Sequence, residues 1–191
     1  MPNKKALILL CPQSFIQSPP EPTIPSGYCV RTFRQEDKKN YVELLEKEGW
    51  LLDETELEDF FDRVIPNGLF FLIDKRSKEI VASAVALHNP KSSHYTFPFG
   101  GDIGFVFTRP AHRKKGLGLA VTNLATNRLI KAGYSSIRIV TNDHRLPALK
   151  TYLNLGFIPF LYASDMEQRW KDVYTILGLP FNKERCLKIN K

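Results

Sequence analysis

The chain has 191 residues, is 43% hydrophobic and 25% charged, and carries a formal net charge of +7. That length suits one domain with a sizeable core, and no apolar run reaches the ~18 residues needed to span a bilayer, so no membrane association is expected. The three cysteines, Cys11, Cys29 and Cys186, are odd in number and have neither Cys-x-x-Cys nor metal-ligand spacing. A disulfide framework and a metal site are therefore not expected, and the thiols suit a reducing cytoplasm.

In chain order, Ala6-Leu7-Ile8-Leu9-Leu10 follows Lys4-Lys5 and has the outline of a signal peptide. It is too short for one, and Cys11-Pro12-Gln13 makes a poor cleavage site. Residues 12–27 contain five prolines (Pro12, Pro19, Pro20, Pro22, Pro25), so residues 1–26 are expected to be an extension that is extended and hugging, or disordered. Tyr28 to Phe33 reads as a strand, and Tyr41, Leu44 and Leu45 give helical spacing between Gln35 and Glu48. Asp53 and Glu56 form a capping signature ahead of the stripe Leu57, Phe60, Phe61 and Val64. Leu69 to Ile73 and Ile80 to Leu87 are strand-like runs around a turn at residues 74–78. A loop rich in Pro, Ser and His (Asn89 to Gly100) leads to a strand from Ile103 to Phe107. A helix then runs to a stop at Gly133, followed by a strand from Ile137 to Val140. Pro147 suits a first helical turn and Gly156 a last one, with a strand from Phe157 to Tyr162 beyond. Trp170, Val173, Tyr174 and Leu177 mark a final helix ended by Gly178. Residues 27–163 are thus expected to form the domain. Residues 164–191 supply a C-terminal helix and basic tail packed on it.

Between the strand at Ile103 and the helix after it lies Arg113-Lys114-Lys115-Gly116-Leu117-Gly118. A strand, a basic glycine-containing turn and a helix start make a backbone cradle for a pyrophosphate. Helix N-termini expose N–H groups and the positive end of the dipole, and glycine lets a ligand approach the backbone. Positive side chains at a helix N-terminus oppose that dipole, a conflict that a bound anion relieves. The string is not a Walker A loop, which needs Gly-Lys-Ser/Thr after its spacer. Nor is it a dinucleotide fingerprint, because Val121 stands where a third small residue is required.

The segment resembles the Arg/Gln-x-x-Gly-x-Gly/Ala signature of the GCN5-related N-acetyltransferases, the GNAT superfamily. The resemblance extends from about Gly101 to Phe160: Pro110 precedes the loop, and Ala148-Leu149-Lys150-Thr151-Tyr152-Leu153-Asn154-Leu155-Gly156-Phe157 is similar to that family's Ala-x-x-x-Tyr-x-x-x-Gly-Phe segment. It implies an α/β (α+β) acyl-CoA N-acyltransferase fold, with a central mixed, mostly antiparallel sheet flanked by helices. The implied activity is transfer of acetyl from acetyl-CoA directly to an amine in a ternary complex. The alternative is an acyl-CoA-binding sensor or scaffold that has lost transfer chemistry.

The same resemblance implies roles for individual residues. Backbone N–H groups of Lys114, Lys115, Gly116, Gly118 and Leu119 would hold the pyrophosphate, Arg113 would shape the turn, and Phe105-Val106-Phe107 would run beside the pantetheine arm. Tyr152 would protonate the leaving thiolate, although Leu149, Tyr152 and Leu153 also form a stripe that fits plain core packing. Asp102 matches a position where relatives carry a catalytic Glu; as a shorter residue it would act through a water, or it is simply an exposed carboxylate. His88 and His94 are looser candidates for the base. The acceptor would sit near Trp50 and the Tyr95 and Phe97 loop. Arg145 stands where many relatives have Asn, and it faces cofactor, substrate or solvent. No set of His, Cys, Asp and Glu has metal spacing, so acetyl-CoA is the one cosubstrate expected.

A charge of +7 invites a nucleic-acid reading. The excess is local, however: Arg109, Arg113, Lys114 and Lys115 flank the cradle, and Lys183, Arg185, Lys188 and Lys191 outweigh Glu184 in the tail. Coenzyme A phosphates suit the first group and solvent the second, so no nucleic-acid partner is expected. The expected partners are acetyl-CoA and an amine, with the chain as monomer or homodimer.

Overall fold

A computed structural model describes residues 5–89 and 100–188. Strand β1 (Leu7–Leu10) and the short helix α1 (Gln13–Gln17) come first. They are followed by β2 (Tyr28–Thr32), α2 (Lys38–Lys47), α3 (Glu54–Arg63), β3 (Val64–Asp74), β4 (Ile80–His88) and β5 (Gly100–Thr108). Then come α4 (Leu117–Lys131), β6 (Ser136–Thr141), α5 (Leu146–Leu155), β7 (Ile158–Leu161), α6 (Met166–Ile176) and β8 (Leu187–Lys188). The strands form one sheet in the order β2-β3-β4-β5-β6-β1-β7-β8. Its pairings are antiparallel except β5 with β6 and β7 with β8, the mixed, mostly antiparallel sheet that the resemblance implied.

The side chains of β3 alternate as period-2 geometry requires. Leu69, Phe71 and Ile73 enter a core under α2 and α3, while Leu72 enters the core on the other face with α4 and α5. The expected capping box at the start of α3 is present: Asp53 accepts from the Glu56 N–H at 2.8 Å, and Glu56 accepts from the Asp53 N–H at 3.0 Å. The helix expected from Gln35 begins as a 3₁₀ turn, Gln35–Asp37, before α2. Its cause is Asp37, whose carboxylate receives both Arg31 guanidinium nitrogens (2.5 and 2.7 Å) and the Arg34 N–H (2.8 Å). Arg31 holds that carboxyl below its ordinary range.

The first residues are more than a lead-in. Leu7–Leu10 runs antiparallel between β6 and β7, with Leu7 opposite Thr141 and Leu9 opposite Pro159. Leu7 and Leu9 are fully buried. A strand covered on both faces reads as an unbroken apolar run, with no alternation to betray it. The prolines that follow do hug the domain. Proline supplies no N–H, so the carbonyls of that stretch are the groups that need partners. Pro20 receives two, from the amides of Asn123 (3.1 Å) and Asn127 (3.0 Å), one turn apart on α4. At the other end of the chain, Trp170 and Val173 of α6 enter the core. Arg169 donates to Asp143 through two nitrogens at 3.0 and 2.7 Å, which ties α6 to the connection ahead of α5.

Truncation of Leu9 tests the interior placement of β1. Leu9→Ala should cost about 3 kcal/mol in urea unfolding, whereas Leu51→Ala, at an exposed side chain, should change stability by less than about 0.5 kcal/mol. Equal, small effects would show that β1 is not an inner strand.

Candidate active site

The site begins with β5 and β6. They pair from Gly100↔Ser136 to Ile103↔Ile139 and then part, so the far half of β5 has no strand on that side. On its other side β5 follows β4, but with a slip: Ser83 faces Phe107 and Val85 faces Gly104. One extra residue therefore sits on β5, a bulge, and Phe105 takes it up with φ of 49°. The Ser83 hydroxyl fixes this kink by donating to the Phe105 carbonyl at 3.0 Å, which leaves buried Tyr41 to donate to Ser83 at 3.3 Å. Such a left-handed residue without a glycine hydrogen costs of order 1 kcal/mol or more, so the kink is held in place by its surroundings.

The turn after β5 is built as its sequence suggests. Pro110–His112 forms a single 3₁₀ turn, and Arg113 reaches back to donate from Nε to the Thr108 carbonyl at 3.1 Å. Lys114 and Gly116 both adopt positive φ, 60° and 79°. Gly116 then caps α4 with no side chain bonded to the first turn, so the leading N–H groups of α4 are left to a ligand or to water. Gly118 lies between Thr108 and Thr151; a Cβ there would stand 3.6 and 3.8 Å from their nearest side-chain atoms. A larger side chain would fill that gap.

These elements enclose a cavity of about 1100 Å³. Val106, Phe107, Arg113, Lys114, Gly116, Gly118 and Leu119 line it, as do Tyr152 and Trp50. Nine expected residues thus meet on one surface. Lys115 and the Phe105 side chain do not line the cavity: Lys115 is exposed, and Phe105 packs on Phe60 and Trp50, ring centroids 4.5 and 5.6 Å away. Tyr95, Phe97 and His94 lie outside the described residues.

Tyr152 stands in the core and on the cavity wall at once. The residue is only 5% exposed and belongs to the core, yet it also forms part of the cavity wall. Its hydroxyl makes no hydrogen bond to any described residue. Burial pushes its pKa up to about 12, with Arg145 acting in the opposite direction. A phenol in that state keeps its proton across the physiological range and offers it to whatever forms beside it.

Asp102 is placed otherwise than expected. It is neither exposed nor on the cavity wall. Arg138 donates to it from Nε (2.6 Å) and Nη2 (3.2 Å), Asn89 donates to Oδ2, and an Arg63 nitrogen stands 3.7 Å from the same oxygen. The register explains this, since Asp102 faces Arg138 directly across the parallel strands. His88 likewise lies off the wall, with Nδ1 2.8 Å from the Tyr134 hydroxyl.

Arg145, expected to face cofactor, substrate or solvent, is on the cavity wall, as are Glu48 and His144, and Leu177 joins them with no signal in the sequence. Arg145 lies over the indole of Trp50, Cζ 5.4 Å from the ring centroid. The departure from Asn at Arg145 was the available signal for this contact. Leu177 follows the last turn of α6, so the C-terminal helix contributes to the wall. Among the described residues no group of three His, Cys, Asp or Glu side chains is arranged to hold a metal ion, and no helix is long and apolar enough to cross a membrane.

Comparison with known proteins bears on the family and the fold. The model of the acetyltransferase (GNAT) family matches residues 31–157, well over half of the chain. A mycothiol acetyltransferase of Frankia casuarinae is 27% identical over 167 residues, covering 80% of this chain and 47% of the relative. The chain spans about half the length of the curated relatives it matches. A GCN5-related N-acetyltransferase from Sphaerobacter thermophilus superposes with a TM-score of 0.60 at 20% identity, over 82% of this chain and 49% of that one. AAC(6')-Iy, solved in complex with the bisubstrate analog CoA-S-monomethyl-acetylneamine, gives a TM-score of 0.55 at 14% identity, over 69% and 91%.

The state of the Tyr152 phenol can be read directly. In a carbon-13 NMR titration of labelled tyrosine rings, assigned with Tyr152→Phe, the Tyr152 signal should stay in its neutral form past pH 11. A midpoint near the ordinary ~10 would contradict its burial in an apolar wall.

Proposed function

The chain belongs to the acetyltransferase (GNAT) family, and from that premise we propose that it is an N-acetyltransferase carrying acetyl from acetyl-CoA to an amine. The observation that carries the reading is the open, uncapped start of α4. It faces a cavity that is also lined by Tyr152 and by β5 beyond the point where β6 leaves it. Gly118 keeps the start of α4 free of a side chain, and Lys114, Gly116 and Leu119 share the cavity wall with it, so the residues present fit the pyrophosphate of this cosubstrate.

In this reading the N–H groups of Leu117, Gly118 and Leu119 bind the pyrophosphate, helped by the dipole of α4 and by Lys114. Arg113 holds the turn through Thr108. The backbone of Val106, on the edge of β5 that β6 has left, orients the pantetheine arm. Acetyl-CoA supplies a thioester whose carbonyl carbon an amine can attack, with the sulfur leaving as a thiolate. Tyr152 then holds a proton at its hydroxyl beside that sulfur. With a pKa of about 12 it acts chiefly as a hydrogen-bond donor, because full transfer to a thiolate whose reference pKa is ~8.5 runs uphill. The amine's proton passes to water, since both oxygens of Asp102 are already bound. That same engagement of Asp102 is the observation favouring the second reading, a CoA-binding module without turnover.

Thermal unfolding with acetyl-CoA separates these cases. At about 100 times its dissociation constant, acetyl-CoA should add ~2.7 kcal/mol and raise the midpoint by roughly 5–10 °C. Gly118→Ala should keep that shift. Gly118→Trp should lose it while unfolding at its usual temperature without ligand. A shift accompanied by thiol release with some amine supports the enzyme, and a shift without thiol release from a broad amine panel supports the silent module. No shift at millimolar acetyl-CoA would remove both.

A further inference from the structure

Arg145 holds an unusual position on the cavity wall. The residue is exposed and makes no ion pair with any described residue, yet its guanidinium is not loose: it lies on Trp50, 5.4 Å from the ring centroid. Trp50 in turn packs on Phe105, the residue of the β5 bulge. The stack Arg145–Trp50–Phe105 therefore ties this cation to the bulged end of the cavity rather than to the turn that carries Arg113 and Lys114. Arg145 caps the start of α5 and Tyr152 lies seven residues further, so about 10 Å of helix separates them. That span suits a group on the acceptor some bonds away from the reacting nitrogen.

A guanidinium held over an aromatic face keeps its N–H donors available, and the guanidinium fork binds a carboxylate or a phosphate through two parallel hydrogen bonds. Glu48 shares the wall but is not within ion-pair distance of Arg145, so it does not neutralise it. The phosphates of the cosubstrate have their own donors at the α4 end.

We propose that Arg145, held against Trp50, selects acceptors that carry an acidic group, carboxylate or phosphate, as well as the amine to be acetylated. The inference rests on the acetyl-transfer reading and names the acceptor class for that site.

The test uses matched pairs on the full chain: β-alanine against β-alaninamide, glycylglycine against its amide, and phosphoethanolamine against ethanolamine. Two readouts are taken, thiol release from acetyl-CoA and calorimetric binding of each amine to the enzyme–CoA complex. In wild type the acidic member of at least one pair should be preferred about tenfold or more in kcat/KM, mostly through KM. Which pair shows it distinguishes carboxylate from phosphate. Arg145→Gln should bring that ratio to about threefold or less, and Arg145→Lys should leave an intermediate ratio. The affinity for acetyl-CoA should be unchanged in both variants.

Equal use of both members by wild type in every pair, or an undiminished preference in Arg145→Gln, would overturn the proposal. So would a large loss of acetyl-CoA affinity with the ratio intact, which would assign the guanidinium to the cosubstrate. If no amine releases thiol but calorimetry shows the acidic preference and its loss in Arg145→Gln, acetyl transfer fails while the acid-binding role of Arg145 stands.

Discussion

β5 and β6 stay paired for four residues and separate after Ile103↔Ile139, which leaves one edge of β5 without a strand. Backbone N–H and C=O groups are obligatory hydrogen-bonding groups, so an edge left open inside a fold calls for a ligand or water. The cavity, the open edge of β5 at Val106, and the position of Tyr152 all depend on this separation. Below the point of separation the strands are fastened twice: by the parallel ladder, and by the Asp102–Arg138 pair that bridges one register step before it ends. The carboxylate expected to accept a proton is the one that closes the vertex.

Packing around that vertex shapes the rest. Tyr41 of α2 reaches Ser83 of β4, and Ser83 holds the Phe105 carbonyl, so a helix on one face sets the backbone of β5 where the cavity begins. Phe105 then supports Trp50, and Trp50 supports Arg145. On the other face α4 brings its uncapped N-terminus to the cavity, while Thr122 and Thr126 donate to carbonyls four residues back, at 2.7 and 2.8 Å, to keep buried hydroxyls paired. The proline stretch leans on the same helix through Asn123 and Asn127. Beyond β6, the short strand β1 joins β6 to β7 and completes the sheet that carries α5 and its tyrosine.

Features governed by neighbouring residues were legible in the chain. The turn at Arg113–Gly118, the capping box at Asp53 and Glu56, and the glycine stop at Gly156 each announce themselves within a few residues, because helix ends and tight turns are decided locally. The strand-like runs of β3 and β4 and the stripe on α5 follow for the same reason. What escaped is set by contacts distant in sequence. Asp102 looked exposed because Arg138, 36 residues on, is its neighbour only across a parallel pairing. Arg145 meets Trp50 from nearly a hundred residues away, and β1 is recognisable as a strand only once β6 and β7 flank it. Local patterns located the cradle; pairing across the sheet fixed which side chains surround it.

The central claim is that acetyl-CoA lies with its pyrophosphate on the start of α4 and its arm along the open edge of β5. Amide hydrogen exchange, followed by mass spectrometry with and without acetyl-CoA, reads those backbone groups directly. The account predicts slowed exchange concentrated in residues 105–107 and 114–120, with β2 and the edge strand β8 unaffected. Unchanged exchange in both segments at saturating acetyl-CoA, or protection centred elsewhere, would contradict it.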